Sequence, residues 1–567
     1  MDVFCPFCGA HHWMAEKVVN SPMHRPEFTT CCQRGRVCLP FLPPPPPLLH
    51  TFLERDDTEA KEFRSNIRQY NMALAFTSLG VREDRLVNRR GAWVFCVQGE
   101  LCHLIGSLQP DEGVDPSYAQ LYVYDAQLAL AQRMNRNDNL SPKTMASLQT
   151  MLLQHHCYSN KFKHAYEILH NYRGVPDACI RLCVMPGQDN RRYNLPSSDE
   201  VAVILPGDGT ASERRDIVLR PRQEGQSFAR IDDGHPAYSP LHYVLLFPHS
   251  THGWHRALYQ RPPPGSNAPP HWNPPRVTQT QYSSFRLHTR NGEYPTIHRG
   301  GRLFQQYIVD MWASADQTRL SFLRFNQGRL RAALYSGLED WLRADEVGNP
   351  QELGQRAVLP SSYIGGPRHL QQRYQDAMAV ARFFKRIDLF ITMTANPNWD
   401  EITRELLPGQ TSYDRPDLVA RVFKMKKEEL IDDIYKKNIF GRVPAYVYVI
   451  EFQKRGLPHV HLLVILEEHR RLRTPVDINS CISTQWPDPV MQPLLFKTVK
   501  ATMVHGLCGN FNLSAPCMRN GKCSKGYPKP FQETTLTAED GYPLYCMPVP
   551  TMDDLFLLWC RVLEQSK

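Results

Sequence analysis

No stretch of the 567 residues is apolar for long enough to span a membrane, and the start MDVFCPFCGA lacks the apolar core of a secretory signal. No G-x-x-x-x-G-K-[ST] phosphate loop occurs. Its nearest approach, GKCS at Gly521 to Ser524, has Pro516 where the first glycine belongs and Cys523 after the lysine, so these residues do not make an ATP-driven helicase. Internal repeats are absent. Charge of one sign is also scarce: 66 basic against 57 acidic residues leave +9, which suits a nucleic-acid partner without identifying one. After His461 tyrosine is rare. Tyr527, Tyr542 and Tyr545 lie in KGYPKPF and DGYPLYCM, proline-broken turns that disfavour a helix. Sixteen cysteines with no signal segment imply a reducing intracellular setting, and thiols that bind metal rather than pair as disulfides.

What is present centres on Glu451 to Leu466, EFQKRGLPHVHLLVIL. Strand side chains alternate faces, so His459 and His461 point the same way, roughly 7 Å apart at Cβ. Val460, Leu462, Val464 and Leu466 fill the other face, while Leu463 and Ile465 continue the histidine face as hydrocarbon. Two imidazoles on an apolar strand either find ordinary polar partners or converge on one metal, and the His-apolar-His triplet favours the metal. Upstream, DLFITMTANPNW at Asp388 to Trp399 predicts another strand ended by Asn396-Pro397. On it Thr392 and Thr394 share a face, and with Asn396 and Trp399 they could offer donors to a phosphate and a ring to a base. Between the strands a helix is expected from Pro416 and Asp417, burying Phe423, Leu430 and Ile434 and exposing Lys424, Lys426, Lys427, Lys436 and Lys437. Lys454 and Arg455 beside the histidine strand, with Arg368, Arg373, Arg382, Lys385 and Arg386 upstream, are candidate DNA contacts if they line one groove.

Two cysteine clusters predict zinc. His505, Cys508, Cys517 and Cys523 are spaced H-x2-C-x8-C-x5-C with glycine and proline between them, which suits a closed tetrahedral site. Near the start, Cys5, Cys8, Cys31 and Cys32 form the candidate set; Cys38, His11, His12 and His24 lie close enough to leave the four ligands open.

Punctuation suggests the organisation: a cysteine-rich segment over 1–42, a polyproline linker over 43–50, a mixed α/β region over 51–261, a proline-rich linker over 262–299, a further α/β region over 300–470, a Cys/His segment over 471–545 and a tail over 546–567. Residues 51–185 read as mostly helical, with a strand-like YAQLYVY at Tyr118 to Tyr124. EVAVILPGD, RDIVLRP and HYVLLFP read as strands beginning at Glu200, Arg215 and His242. The fold class is α/β in the α+β sense.

Long ordered segments carry a family likeness: GGRLFQQYIVD at Gly300 to Asp310, LPSSYIGGPRH at Leu359 to His369, QDAMAVARFF at Gln375 to Phe384, and IFGRVPAYVYVIEFQKRGLPHVH ending at His461. They resemble the N-terminal and Rep region of Helitron transposases, whose nuclease is of the HUH class. The resemblance implies an antiparallel-sheet, HUH nuclease-like domain over 300–470, a tail over 546–567 that diverges from the family, and a rolling-circle transposon protein, nuclear or otherwise intracellular, that binds single-stranded DNA. It implies magnesium or manganese held by His459 and His461 with Gln453 or Glu451 as a third ligand, polarising a phosphate that a tyrosine attacks. The family's tyrosine lies on a helix downstream of the histidines. Here that motif and the helicase half are missing, the family-like text ends near Tyr545, and cleavage is expected to be impaired. The alternative is a catalytically dead DNA-binding or interaction protein derived from a transposon.

Overall fold

The computed structural model describes residues 1–83, 95–98, 101–106, 113–171, 179–182, 202–205, 217–219, 228–262, 273–326, 359–453, 456–482, 484, 486–515, 517–527, 529–537 and 543–547. The chain divides into two compact units: Met1–Tyr374 with Met393–Glu428 and Ile450–Val460, and Gln375–Thr392 with Glu429–Val449 and His461–Lys567. Helices mix with small antiparallel sheets. Among the described residues no helix is long and apolar enough to cross a membrane.

The first unit begins with a short hairpin of β1 (Val3–Phe4) and β2 (His11–His12). Two helices follow, α1 (Pro47–Glu54) and α2 (Thr58–Leu74). Helix α2 starts because Asp57 accepts a hydrogen bond from Ala60 N, and its core stripe is Ala60, Phe63, Ile67, Tyr70, Asn71 and Leu74. A small antiparallel sheet places β4 (His103–Gly106) between β3 (Ser78–Leu79) and β5 (Phe228–Arg230). Helices α3 (Pro142–His155), α4 (Gln279–Arg286) and α5 (Arg302–Phe325) complete the frame.

Four expectations change here. Residues 43–50 are no free spacer: Pro45 and Pro46 are buried, His249 Nε2 lies 2.9 Å from the Pro44 carbonyl oxygen, and Pro47 opens α1. The proposed linker over 262–299 is largely folded, since α4 buries Tyr282 and Phe285; only 263–272 of it lie outside the described residues. HYVLLFP is not a strand. A short helix, Tyr238–His242, runs into Tyr243 to Phe247, all buried; an apolar run buried all round carries no period to separate strand from other structure. The strand-like Tyr118–Tyr122 is a 3-10 turn, with Ala119, Leu121 and Tyr122 in the core. The strand readings near 200 and 215 correspond to Ala202–Leu205 and Ile217–Leu219, both paired with Cys179–Leu182.

At the centre of this unit Asp310, wholly buried, sits 2.6 Å from His103 Nε2 and accepts hydrogen bonds from the hydroxyls of Tyr243 at 2.7 Å and Tyr238 at 3.1 Å. Burial would raise its pKa, but the His103 ring, the Tyr243 hydroxyl and the nearby His242 hold it below the usual carboxylate range. A carboxyl with a depressed folded pKa stabilises at pH values above its unfolded value and loses that contribution as pH falls through the folded one. Asp310→Ala strands three buried polar partners and is expected to cost about 3–5 kcal/mol in urea unfolding at neutral pH. A variant as stable as the parent would show that the network is incidental.

The histidine-bearing sheet is built from β6 (Leu389–Thr394), β7 (Ala445–Phe452) and β8 (Pro458–Ile465), with β8 in the middle. Asp388 N donates to Val464 O at one end of the β6 pairing and Ala395 N to Pro458 O at the other, which makes it antiparallel. A hairpin joins β7 to β8, closed by Gln453 N to Leu457 O at 3.0 Å and turned by Gly456 at φ 78°. Helix α6 (Pro416–Tyr435) buries Val422 and Phe423 against Ala395, Ile402 and Val460 in the first unit. Its other end buries Ile434 against Leu389, Leu462 and Val464 in the second.

Candidate functional site

Burial along β8 alternates as expected. Val460, Leu462 and Val464 are buried, while His459, His461 and Leu463 are half-buried on the other face; Ile465 departs from the pattern by being buried as well. Each imidazole is gripped by the neighbouring strand: Thr394 Oγ1 lies 2.6 Å from His459 Nδ1, and Thr392 Oγ1 3.1 Å from His461 Nδ1. Phe390 stacks on His461 at 5.3 Å and 11°. With Nδ1 held by a hydroxyl, Nε2 is the atom each ring can offer a metal, the arrangement seen where an outer partner orients a ligating histidine.

Counting back from the Gln453–Leu457 pair places Glu451 directly across from His459, with Gln453 one row further, at the turn. Tyr446 packs with the Leu462 and Val464 core, so alternation sends Glu451 to the histidine face. Thr394, His459 and Glu451 therefore form one cross-strand row.

Several predicted DNA contacts have other positions. The Thr392 and Thr394 hydroxyls are engaged by imidazole rather than presented to phosphate. Asn396 Oδ1 accepts from Asn398 N at 2.9 Å and shapes the turn, and Trp399 is half-buried against Ile402 and Val460. Lys427 is buried, contrary to expectation. The other helix lysines meet carboxylates: Lys426 with Glu401 at 2.6 Å, Lys436 with Asp432 at 2.8 Å and Lys437 with Asp433 at 2.6 Å. Arg386 donates to Leu472 O. Lys454 and Arg455 lie outside the described residues.

Among the described residues, three or more metal-ligating atoms converge within 4.8 Å at two places, Cys5, Cys8, Cys31 and Cys32, and His505, Cys508, Cys517 and Cys523. Both could hold a metal such as zinc. In the first, Cys5 Sγ is 3.7 Å and Cys31 Sγ 3.8 Å from Cys32 Sγ. A tetrahedral zinc with Zn–S bonds of about 2.3 Å spaces its sulfurs by about 3.8 Å. The turn after Cys8 passes through Gly9 at φ 68°, and Gly35 N donates to Cys32 Sγ at 3.1 Å. Hydrogen bonds from Cys31, Cys32 and Cys5 hold the Cys8 thiol far below its ordinary range, helped by Arg290, and contact with Cys31 and Cys32 lowers Cys5 to about 7. Cys38 is exposed and outside the cluster. His12 is turned away to stack on Phe28 at 4.0 Å.

This cysteine module is clasped to α6. Arg421 binds Glu16 through two contacts of 2.7 Å, donates to His11 O at 3.0 Å and lies over the Trp13 ring at 4.9 Å. Burial alone would raise the Glu16 pKa, but Arg421 and His12 hold it well below the carboxylate range. Trp13 packs with Val419, Val422 and Val460, the residue between the two histidines. Sequence reasoning missed Arg421, Glu16 and Trp13, because pairing across 405 positions leaves no local signal.

In the second cluster, β9 (Met518–Arg519) and β10 (Lys522–Cys523) form a hairpin turned by Asn520 at φ 50° and Gly521 at φ 76°. His505 Nε2 is 3.6 Å from Cys523 Sγ, and Tyr527 stacks on His505 at 4.0 Å and 4°. Tyr527 thus belongs to the cysteine module.

These features define a mixed helical and antiparallel-sheet protein with two Cys/His centres able to take a metal. Residues 282–464 match the family model of the Helitron helicase-like domain at the N-terminus, and this region is accordingly Helitron-related. The match contains β6, β7 and all but the last residue of β8, and leaves both cysteine clusters outside it. No curated protein matches the chain.

Proposed function

We propose that the histidine face of the β6–β8–β7 sheet is the centre of an HUH-type, Rep-like protein that binds single-stranded DNA in a rolling-circle transposition system. The observation that supports it most is the pair of Thr–His contacts, which orient both imidazoles from one strand. His459 and His461 would hold magnesium or manganese with Glu451 as third ligand, a mixed nitrogen and oxygen set suited to an exchangeable hard cation. When bound, the ion supplies Lewis acidity to a scissile phosphate. The chain's own part is to orient: Thr392 and Thr394 fix the imidazoles, and Phe390 braces His461.

The nucleophile is the weak part of the centre. Tyr527 is stacked within the C-terminal cysteine module, Tyr545 follows a short strand pairing, and Tyr542 lies outside the described residues. Cleavage is accordingly impaired and binding retained. End-labelled oligonucleotides mixed with the protein and manganese test this reading. Native gels should show single strands retained over duplex of equal length, because duplex hides the base faces. Denaturing gels should show no shifted covalent band. Equal retention of both forms would overturn the DNA reading, and a shifted band lost in Tyr545→Phe would overturn the impairment.

A further inference from the structure

The C-terminal cysteine module carries a surface that its metal does not require. From His505 to Phe531 there are four cations, Arg519, Lys522, Lys525 and Lys529, and no acidic residue. All four are exposed. The β9–β10 hairpin sets Arg519 opposite Lys522 at the Asn520-Gly521 turn. Beside the cluster lies an open groove of about 490 Å³ lined by His505, Leu507, Phe511 and Ala515. Phe511 is 76% exposed. At the other side of His505 the Tyr527 ring lies flat on the imidazole, with Lys529 Nζ 5.7 Å from its centroid. Exposed flat rings beside cations in a stretch without carboxylates are what a single strand recognises: phosphates pair with the cations, and bases stack on the rings without regard to sequence. An acidic peptide would use the cations and leave Phe511 and Tyr527 in water.

We propose that this module is a second single-stranded DNA contact, separate from the histidine face. The inference rests on the single-strand reading above but assigns the binding to different residues. The test uses the full chain, zinc-loaded, and fluorescence anisotropy with labelled dT20, without added magnesium or manganese. Phe511→Ala and Lys522→Gln/Lys525→Gln are each expected to weaken dT20 binding about 10-fold, one lost stack and two lost phosphate contacts respectively. The double lysine variant should also flatten the salt dependence by about 1.4, from about 0.7 per phosphate contact. Zinc stoichiometry by mass spectrometry must equal the parent's, which removes misfolding as the cause. His459→Ala/His461→Ala, measured in the same titration, tells loss at the histidine face from loss at this module. Variants that keep zinc and bind dT20 like the parent would overturn the proposal, while loss confined to the histidine variant would leave the histidine reading standing alone. Tighter binding of rU20 than dT20 would overturn the assignment to DNA.

Discussion

Replacing Cys31 with serine, or stripping the protein with a strong chelator, is expected to lower the thermal midpoint of the first unit by more than any single surface substitution. A structural zinc site contributes its binding energy directly to folding, about 10–16 kcal/mol in isolated zinc-finger peptides. The cysteine module also shares a core with the rest of this unit: Cys5, Cys31 and Cys32 pack with Phe28, Val277, Tyr282 and Phe285. Even a few kcal/mol lost here shifts the midpoint on the order of 10 °C. Differential scanning calorimetry alongside zinc stoichiometry checks this. Loss of zinc with an unchanged melt would show that the four thiols are merely neighbours. Arg421→Ala is the informative control: it leaves the thiols in place while breaking the contacts to Glu16 and His11, so zinc should be retained while the α6 packing loosens.

The clasp also shows where sequence reading stops. Alternation along β8 and the start of α6 at Pro416 were legible because they rest on periods of 2 and 3.6 and on a capping rule, all local. Both cysteine clusters were legible because thiol spacing is a metal's requirement written along the chain. The role of Thr392 and Thr394 was not. Their shared face was plain, but that this face meets His459 and His461 depends on β6 pairing with β8 in one register, which lies about 65 residues away in sequence. The same register sets Glu451 across from His459 and Gln453 at the turn, a difference that spacing alone does not show. Asp310 is hidden for another reason. An acidic residue inside a helical pattern reads as solvent-facing until His103, Tyr238 and Tyr243 arrive from other elements to satisfy it.

Changing His459 or His461 to alanine is expected to weaken manganese binding by about 100-fold or more, since outer partners of ligating histidines alone are worth about 10–100-fold. The fold should survive, because Val460, Leu462 and Val464 still bury the opposite face of β8. Calorimetric titration of manganese into zinc-loaded protein measures the first effect, and circular dichroism melts measure the second. The outer contacts give a graded control: Thr394→Val removes the hydroxyl 2.6 Å from His459 Nδ1 and should cost about 10–100-fold while leaving both rings in place. Glu451→Gln and Gln453→Ala then separate the candidate third ligands. The row geometry places the larger loss on Glu451, where a carboxylate stands across from His459. If the histidine variants bind manganese as the parent does, the imidazoles serve only to pair with Thr392 and Thr394, and the sheet is a structural remnant of a metal centre.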